Sequence, residues 1–333
     1  MLRIGTRKSA LALWQAERVR RLLRERGHAC ELVPMSTQGD RILDRPLAEL
    51  GGKGLFVKEL EQALAEGRAD LAVHSAKDVP FGLPEGFVLG AFPERDDPRD
   101  ALVAPFARTF KNLPQGARVG TSSLRRAVQL LAARPDLVVV PVRGNVQTRL
   151  ARATGATVVR GGVEARPAEG DPQGPLDAVV LALAGLRRLG LEGHATEVLS
   201  LQLSLPAAGQ GALAIEVLRG SPGHAATATL DHPPTAQCVR AERAVLARLG
   251  GDCTVPVAAH AVLEGEEIWL RGLLGGPDGQ GGVSLVRAER RGAGADPESL
   301  GRSVGEALLE NGGGRLLEAA RSEAKGLPAP KRA

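Results

Sequence analysis

The sequence has no tyrosine and only six phenylalanines and two tryptophans among its 333 residues. The chain therefore has few aromatic rings on which single-stranded bases could stack, and we expect no nucleic-acid partner. No stretch approaches the roughly 20 apolar residues of a membrane span, and the N-terminus lacks an apolar leader with a cleavage site. We expect a protein that is neither exported nor inserted in a membrane.

Cysteine is also scarce, with only Cys30, Cys238 and Cys253. An odd number without paired ligand spacing encodes neither a disulfide framework nor a zinc site, so no metal site is predicted and a reducing cytoplasm fits best. Cys30 lies in a predicted strand and Cys238 in a predicted helix, which is typical of small apolar residues that pack in the core. Cys253 lies in a loop between glycine and proline, and is the more reactive candidate.

Lysine contributes little to the positive charge, because arginine supplies most of the 43 basic residues behind the net charge of +5. One interpretation is an arginine bias spread over solvated helix faces. The other is that particular arginines form an anion site. The length predicts two or three domains, and a hydrophobic content of 43% is ordinary for a globular protein.

Apolar periodicity predicts two doubly wound α/β units followed by an α+β unit. Leu2–Gly5 reads as a strand, Ser9 as a helix N-cap and Cys30–Met35 as the next strand. After Ser221 a helix precedes three alternating strands that are close in sequence, which favours antiparallel pairing. Residues 160–176 are rich in glycine, proline and charge, which indicates a surface excursion. The other predicted strands are 70–74, 117–119, 137–142, 178–183, 255–263, 268–274 and 283–289, and the other predicted helices are 57–66, 123–133, 146–152 and 236–249.

Arginines follow three predicted strands of the second unit. Thr121, Ser122 and Ser123 offer hydroxyl and backbone N–H groups at a helix N-terminus, where anions are stabilised. The arginines after these strands are Arg125, Arg126, Arg143, Arg149, Arg187 and Arg188. Parallel strands end at one rim of a sheet, and guanidinium groups bind carboxylates there in pairs of hydrogen bonds. The alternative for each arginine alone is a solvated helix face.

Two further segments could line a cleft. Lys77 and Asp78 follow a strand of the first unit, and are either a surface ion pair or groups facing the second unit. The glycine-rich segment 51–54 lacks the spacing of a phosphate loop. It either presents Lys53 and Phe56 over the cleft or is a plain turn.

Seven segments closely resemble the porphobilinogen deaminase (hydroxymethylbilane synthase) family. They occur in order along almost the whole chain, and their length makes a chance match negligible. The segments are Ile4–Ala16, Gly51–Leu60, His74–Pro80, Gly120–Arg126, Arg143–Val146, Ala184–Leu186 and Leu205–Gly211.

The resemblance implies two domains built like periplasmic binding proteins around a cleft, and a third α+β domain with a three-stranded antiparallel sheet. The implied boundaries are 1–95 with 202–220 for the first domain, 99–198 for the second and 222–325 for the third. A dipyrromethane cofactor would be attached through a thioether to Cys253, although this chain has Gly-Asp-Cys where the family often has Gly-Gly-Cys. Residues 153–176 are longer than the usual connection of the family. A monomer is implied.

The resemblance also assigns roles to single residues. Asp78 would be catalytic, and Lys77 would bind the cofactor. The other implied cofactor contacts are Ser75, Thr121, Ser122, Ser123, Arg125, Arg126, Arg143 and Gly144. The implied substrate contacts are Arg7, Ser9, Arg149, Arg188, Lys53 and Phe56.

The implied activity joins four porphobilinogen molecules head to tail on the dipyrromethane primer and releases hydroxymethylbilane and four ammonia molecules, a step of heme and other tetrapyrrole biosynthesis. Each porphobilinogen carries two carboxylates, which matches the arginines. The rival hypothesis is a non-catalytic two-lobed binding protein for small carboxylates. Such a protein would need neither a third domain nor a loop thiol, and it would normally carry an export signal.

Overall fold

The computed structural model describes residues 1–37, 57–155, 158–160, 163–165, 174–250 and 255–323. These residues form two five-stranded sheets, one three-stranded sheet and a two-stranded hairpin. We refer to each of the three larger sheets, with the helices packed on it, as the first, second and third unit. None of the described helices combines the length and apolar character that crossing a bilayer requires.

The first unit is built on a mixed sheet with the order β2-β1-β3-β12-β4. Its strands are β1 (Leu2–Arg7), β2 (Cys30–Met35), β3 (Leu71–Ser75), β4 (Phe87–Ala91) and β12 (Leu213–Leu218). Its helices are α1 (Ala10–Glu25), α2 (Lys58–Ala65) and α6 (Pro222–Ala228), and a short 3-10 turn, Ala76–Asp78, follows β3. Strands β1, β2 and β3 are parallel, whereas β12 runs antiparallel to both of its neighbours.

Helix α1 begins where the sequence predicts. Ser9 caps it, with Oγ accepting a hydrogen bond from the backbone N–H of Ala12 at 3.3 Å. Its buried face carries Ala16, Val19 and Leu23, which pack on the first sheet. The apolar stripe therefore fixes which side of the helix meets the sheet, and it leaves the polar side toward solvent.

The second unit is built on a sheet with the order β11-β5-β10-β6-β7. Its strands are β5 (Asp100–Val103), β6 (Arg118–Gly120), β7 (Val138–Val140), β10 (Ala178–Ala182) and β11 (Glu197–Val198). Its helices are α3 (Leu124–Ala133), α4 (Val146–Thr154) and α5 (Leu183–Arg188), and a 3-10 turn, Glu192–His194, follows α5. Strands β6, β7 and β10 are parallel, so the predicted arginines do follow three strands that end on one side.

Two features of the α/β units were not predicted. Strands β4, β5, β11 and β12 are additional, and all four pair antiparallel in sheets expected to be doubly wound. A hairpin of β8 (Val158–Arg160) and β9 (Val163–Ala165) lies at the start of the predicted excursion, and among the described strands its two strands pair only with each other. The other described strands of the two units occur where the sequence predicts them.

The third unit has the predicted antiparallel sheet with the order β13-β14-β15. Its strands are β13 (Val257–Glu264), β14 (Glu267–Pro277) and β15 (Val283–Ala293). Its helices are α7 (Pro233–Leu249), α8 (Pro297–Leu308) and α9 (Gly314–Glu323), with a π turn, Leu309–Gly313, between the last two. Val245 of α7, Ile268 and Leu270 of β14 and Leu308 of α8 share its core.

Candidate active site

The turn that follows β3 carries the predicted Lys77 and Asp78. It starts from a fixed point, because Ala76 donates its backbone N–H to the carbonyl of Ala212 beside β12 at 3.0 Å. Asp78 is exposed and Lys77 is partly buried. Ser75, the last residue of the strand, accepts a hydrogen bond at Oγ from Nε2 of Gln15 at 2.8 Å. No role for Gln15 was predicted from the sequence, although its side chain is buried and contacts a predicted site residue.

Lys77 stands among charges from both α/β units. Burial lowers its pKa to about 8, and the positive charges of Arg126 and Arg125 act in the same direction. The carboxylates of Asp78 and Asp100 oppose this shift but do not cancel it. Part of the lysine population is therefore neutral slightly above neutral pH.

The predicted hydroxyl groups fix the start of α3. Ser123 is its N-cap, and Oγ accepts the backbone N–H of Arg126 at 3.5 Å. Thr121 accepts the backbone N–H of Ser123 at 3.2 Å, and Ser122 donates to the carbonyl of Val142 at 2.6 Å. These three side chains thus orient the turn that carries the arginines.

Asp100, a residue that the sequence analysis did not single out, holds both arginines of α3. Its Oδ2 accepts from Nη2 of Arg125 at 2.9 Å, and its Oδ1 accepts from Nη2 of Arg126 at 2.7 Å. Ser204 and Gln210 also donate to this carboxylate, at 2.7 and 2.9 Å. Asp100 is fully buried, and the two guanidinium groups hold the pKa of its carboxyl far below the usual range.

Arg125 and Arg126 consequently turn inward rather than project from a rim. Each is 5% exposed. Arg125 also donates to the carbonyl of Leu205 at 2.6 Å, and Arg126 to that of Val180 at 3.0 Å. Because a buried ion pair forms here, the two arginines are held in fixed positions next to Lys77.

The loop after β7 supplies the next two arginines. Gly144 has a φ of +99°, and a side chain there would meet Thr148 at 2.8 Å. Arg149 donates from Nε to the carbonyl of Gly144 at 2.9 Å. The Nη1 atom of Arg143 is buried and has no hydrogen-bond partner among the described residues. Both side chains therefore lie close to this loop, and one of them retains an unused buried donor.

Arg149 links the loop electrostatically to both α/β units. Burial lowers its pKa to about 10, and repulsion from Arg126 and Arg143 contributes in the same direction. The carboxylate of Asp78 opposes that shift. Asp78 on the first unit and the arginines on the second therefore act on one another across the space between the units.

Cations exceed carboxylates in this cluster. Lys77, Asp78, Asp100, Arg125, Arg126, Arg143 and Arg149 include five cations and two carboxylates. A partly buried excess of positive charge is costly unless an anion matches it. The unused Nη1 of Arg143 is a donor that such an anion could satisfy. The arrangement therefore fits a ligand with several carboxylates.

Arg188 is not part of this cluster. It donates from Nη2 to the carbonyl of Gly211 at 2.6 Å and lies 3.9 Å from a carboxylate oxygen of Asp96. Its guanidinium is 5.8 Å from the ring centroid of Trp14, and burial lowers its pKa. Arg188 thus joins α5 to the strand connections and to α1.

The remaining predicted residues lie at the start of the chain or outside the description. Arg7 ends β1 and is partly buried, and Ser9 caps α1. Lys53, Phe56 and Cys253 lie outside the described residues. Cys30 and Cys238 are free thiols and are buried, as predicted for core residues.

Fold and site together define a class: an α/β protein with two mixed-sheet units that both contribute side chains to a cluster of cations. Residues 2–224 match the family model described as "Porphobilinogen deaminase, dipyromethane cofactor binding domain", and residues 236–310 match "Porphobilinogen deaminase, C-terminal domain". The chain therefore belongs to the porphobilinogen deaminase family, and it contains that family's dipyrromethane cofactor-binding domain.

Solved structures of binding proteins are distantly similar. A periplasmic substrate-binding protein of an ABC transporter from Coxiella burnetii is 15% identical with a TM-score of 0.41, and the match covers 71% of this chain and 93% of that one. A putative methionine-binding lipoprotein from Bacillus subtilis is 15% identical with a TM-score of 0.38, covering 69% and 89%. A nutrient-binding protein from Burkholderia cenocepacia bound to methionine is 15% identical with a TM-score of 0.39, covering 68% and 89%.

Proposed function

We propose that this protein is a hydroxymethylbilane synthase, a transferase that joins four porphobilinogen molecules head to tail. The observation that carries the proposal is the excess of cations around Asp78, Lys77 and the arginines of the second unit. Each porphobilinogen adds two carboxylates, so the growing product accumulates negative charge that these groups can match. Family membership supports the same reaction.

The residues present fit the cofactor that the family implies. A dipyrromethane carries several carboxylates, and the buried Nη1 of Arg143 is an unused donor that could bind one of them. Arg125 and Arg126, which are held by charged hydrogen bonds to Asp100, would add positive charge nearby. Lys77 binds a carboxylate in its protonated form, which predominates below its pKa of about 8. When bound, the dipyrromethane supplies the pyrrole carbon at which the first substrate unit is attached.

Asp78 is the group we assign to the chemical step. When the carbon–nitrogen bond of the aminomethyl group breaks and ammonia leaves, positive charge develops on the substrate pyrrole. An exposed carboxylate beside the ring stabilises that charge and accepts the pyrrole N–H. It can also carry a proton between the reacting groups. Arg149, which interacts with Asp78 electrostatically, is placed to bind a carboxylate of the same substrate.

We propose Cys253 as the attachment residue. Burial raises the pKa of the Cys30 thiol and raises that of Cys238 to about 11, which disfavours the nucleophilic thiolate at both positions. Helix α7 ends at Leu249 and Gly250 caps it, so Cys253 follows the helix by a short segment. The choice of a loop cysteine agrees with the resemblance of this segment to the family.

Intact mass spectrometry tests the proposal. We expect the purified protein to exceed its sequence mass by one dipyrromethane, and peptide mapping to place the adduct on residues 251–254. Cys253→Ala should have its sequence mass and no activity, whereas the control Cys30→Ala should retain both adduct and activity. A wild-type protein at sequence mass would support the rival carboxylate-binding protein instead.

A further inference from the structure

Arg243 of α7 forms hydrogen bonds to the backbone directly after Asp78. Its guanidinium donates to three consecutive carbonyls: Nη1 to that of Val79 at 3.0 Å, and Nη2 to those of Pro80 at 2.6 Å and Phe81 at 3.3 Å. A single side chain from the third unit thus holds the chain where it leaves the turn.

The held segment has little structure of its own. Between the 3-10 turn and β4, residues 79–86 form neither helix nor strand. Pro80 and Pro84 have no N–H to donate, and the backbone N–H of Val79 makes only a 3.4 Å contact with the carbonyl of Ala76. The turn itself has no side-chain cap. Arg243 therefore supplies an anchor that the local backbone lacks.

The charge of Arg243 is matched by carbonyl dipoles rather than by a carboxylate. Among the described residues it forms no ion pair within 4.0 Å, and only Glu216 acts on it from farther away. Burial lowers its pKa to about 10, so it stays protonated at neutral pH. A fork of N–H donors suits adjacent carbonyl acceptors better than a single ammonium does.

Glu242, the preceding residue, binds Gly209, which packs against the same turn. Its fully buried carboxylate accepts two hydrogen bonds from Arg95, at 2.7 and 3.1 Å, and one from the backbone N–H of Gly209 at 2.6 Å. Gly209 packs on the turn: a side chain there would meet Cβ of Ala76 at 2.9 Å and the backbone N of Lys77 at 3.2 Å. Two adjacent residues of α7 therefore hold the turn in place. Arg243 binds the backbone that follows it, and Glu242 binds Gly209, which packs on it.

Helix α7 connects these contacts, along the chain, with the segment that carries the proposed attachment residue. From Arg243 it continues for six residues to Leu249, about 9 Å of rigid rise, and Gly250 ends it in the left-handed conformation at a φ of +57°. Cys253 follows three residues later. One helix therefore runs from the backbone beside Asp78 to Gly250, three residues before Cys253 in the sequence.

We propose that Arg243 is a positioning residue that fixes the Asp78 carboxylate relative to the C-terminal end of α7, after which Cys253 follows in the sequence. This inference rests on the proposed function, because it takes Asp78 as the reacting carboxylate and Cys253 as the attachment residue. A carboxylate displaced by about 1 Å stabilises a developing charge poorly, which can lower a rate by roughly a hundredfold.

Arg243→Ala is the first test. We expect normal cofactor mass, an unchanged KM and a kcat lowered at least about tenfold, with partial recovery when guanidinium salt is added. Arg243→Lys keeps the charge but not the fork, and should also be impaired. Arg240→Ala is the matched control, because Arg240 is exposed on the same helix, and it should behave as wild type.

A double-mutant cycle separates a positioning role from a structural one. If Arg243 acts through Asp78, Arg243→Ala should cause no further loss of kcat in the Asp78→Asn background. Hydrogen exchange provides a readout that needs neither cofactor nor activity. In a Cys253→Ala background, Arg243→Ala should speed the exchange of the amides between Val79 and Phe87, and Arg240→Ala should not.

The results separate this inference from the proposed function. Wild-type kcat in a loaded Arg243→Ala, or an equal loss with and without Asp78→Asn, would overturn the positioning role. If Arg243→Ala does not accumulate, Arg243→Lys decides, and a loaded, fully active lysine variant would overturn it. A loaded Asp78→Asn protein that turns over normally would instead contradict the catalytic assignment on which the inference rests.

Discussion

Two neighbouring residues, Lys77 and Asp78, occupy opposite environments at the end of β3. The lysine is partly buried among arginines, which together with burial lowers its pKa to about 8, whereas the carboxylate of Asp78 is exposed. The exposed group can meet a substrate ring without first breaking a buried ion pair. The buried cation suits a carboxylate held throughout the reaction. This difference is the physical basis for assigning chemistry to one and binding to the other.

We predict that Asp78→Asn lowers kcat by several orders of magnitude and changes KM little. The substitution keeps the size of the side chain but removes the charge, which stabilises the transition state more than the bound substrate. Asp78→Glu keeps the charge and displaces it by one methylene, so it should retain reduced but measurable activity. Steady-state kinetics on protein of verified intact mass measures both.

The mass check is essential for these variants, because a failure to assemble the cofactor would mimic a catalytic defect. An Asn variant that carries the adduct and matches the wild-type rate would exclude Asp78 as the reacting group. Attention would then shift to Lys77.

At the residue scale, local chemistry was predictable from the sequence and long-range partners were not. The N-cap role of Ser9 follows from spacing, and the structure confirms it. The predicted helix over 123–133 is also present, and its first predicted residue, Ser123, is the N-cap. Asp100 lies 25 residues from Arg125, and Arg243 lies 164 residues from Val79. Neither hydrophobic periodicity nor a helix-capping residue predicts such pairs, because only the folded chain brings the two residues together. A single acidic residue at the start of an otherwise apolar strand, such as Asp100 in β5, is the local hint.

At the element scale, strands with an apolar pattern and a following helix were predicted, whereas the antiparallel strands of the two α/β units were missed. Pro80 and Pro84 precede β4 and Pro93 follows it, so prolines flank a strand that the apolar pattern did not predict. Strand β12 returns to the first sheet from far along the chain and pairs antiparallel with β3. Its place between β3 and β4 depends on contacts that no local pattern contains.

Among the described elements, we expect the β8–β9 hairpin to contribute least to the activity of the proposed site. It forms its own two-stranded sheet and joins neither five-stranded sheet. We predict that replacing residues 161–175 with a short Gly/Ser turn keeps cofactor loading intact and activity within a few-fold of wild type. Intact mass and steady-state kinetics check both. Loss of loading in that variant would show that the segment takes part in the site, since the hairpin also contacts α4, which carries Arg149.

At the scale of the whole molecule, residues 204–211 tie the three units together. Ser204 donates to Asp100 of the second unit, and the backbone N–H of Gly209 donates to Glu242 of the third. Gln210 accepts at its carbonyl from Arg95 at 2.8 Å and donates from its side chain to Asp100. The segment then continues into β12 of the first sheet. The cation cluster is therefore held by contacts from every unit, and its electrostatic strain acts on the whole fold.

This strain predicts how the protein responds to anions. In Cys253→Ala, which lacks the cofactor, five cations would face two carboxylates without their ligand. Citrate should therefore raise the melting temperature of Cys253→Ala by a few degrees and that of the wild type much less. A ligand at ten times its Kd stabilises the folded state by about 1.4 kcal/mol. Differential scanning calorimetry at constant ionic strength, set with sodium chloride, measures the difference.

Two variants in the Cys253→Ala background show whether the cluster is the site of that response. Arg143→Gln removes the guanidinium that holds an unused buried donor, so it should weaken the stabilisation by citrate. Arg240→Gln removes an exposed charge on α7 and should leave the stabilisation unchanged, which controls for the loss of one positive charge. Equal responses of the wild type and Cys253→Ala to citrate would contradict the prediction, because a cluster already balanced without its cofactor has no need of an added anion.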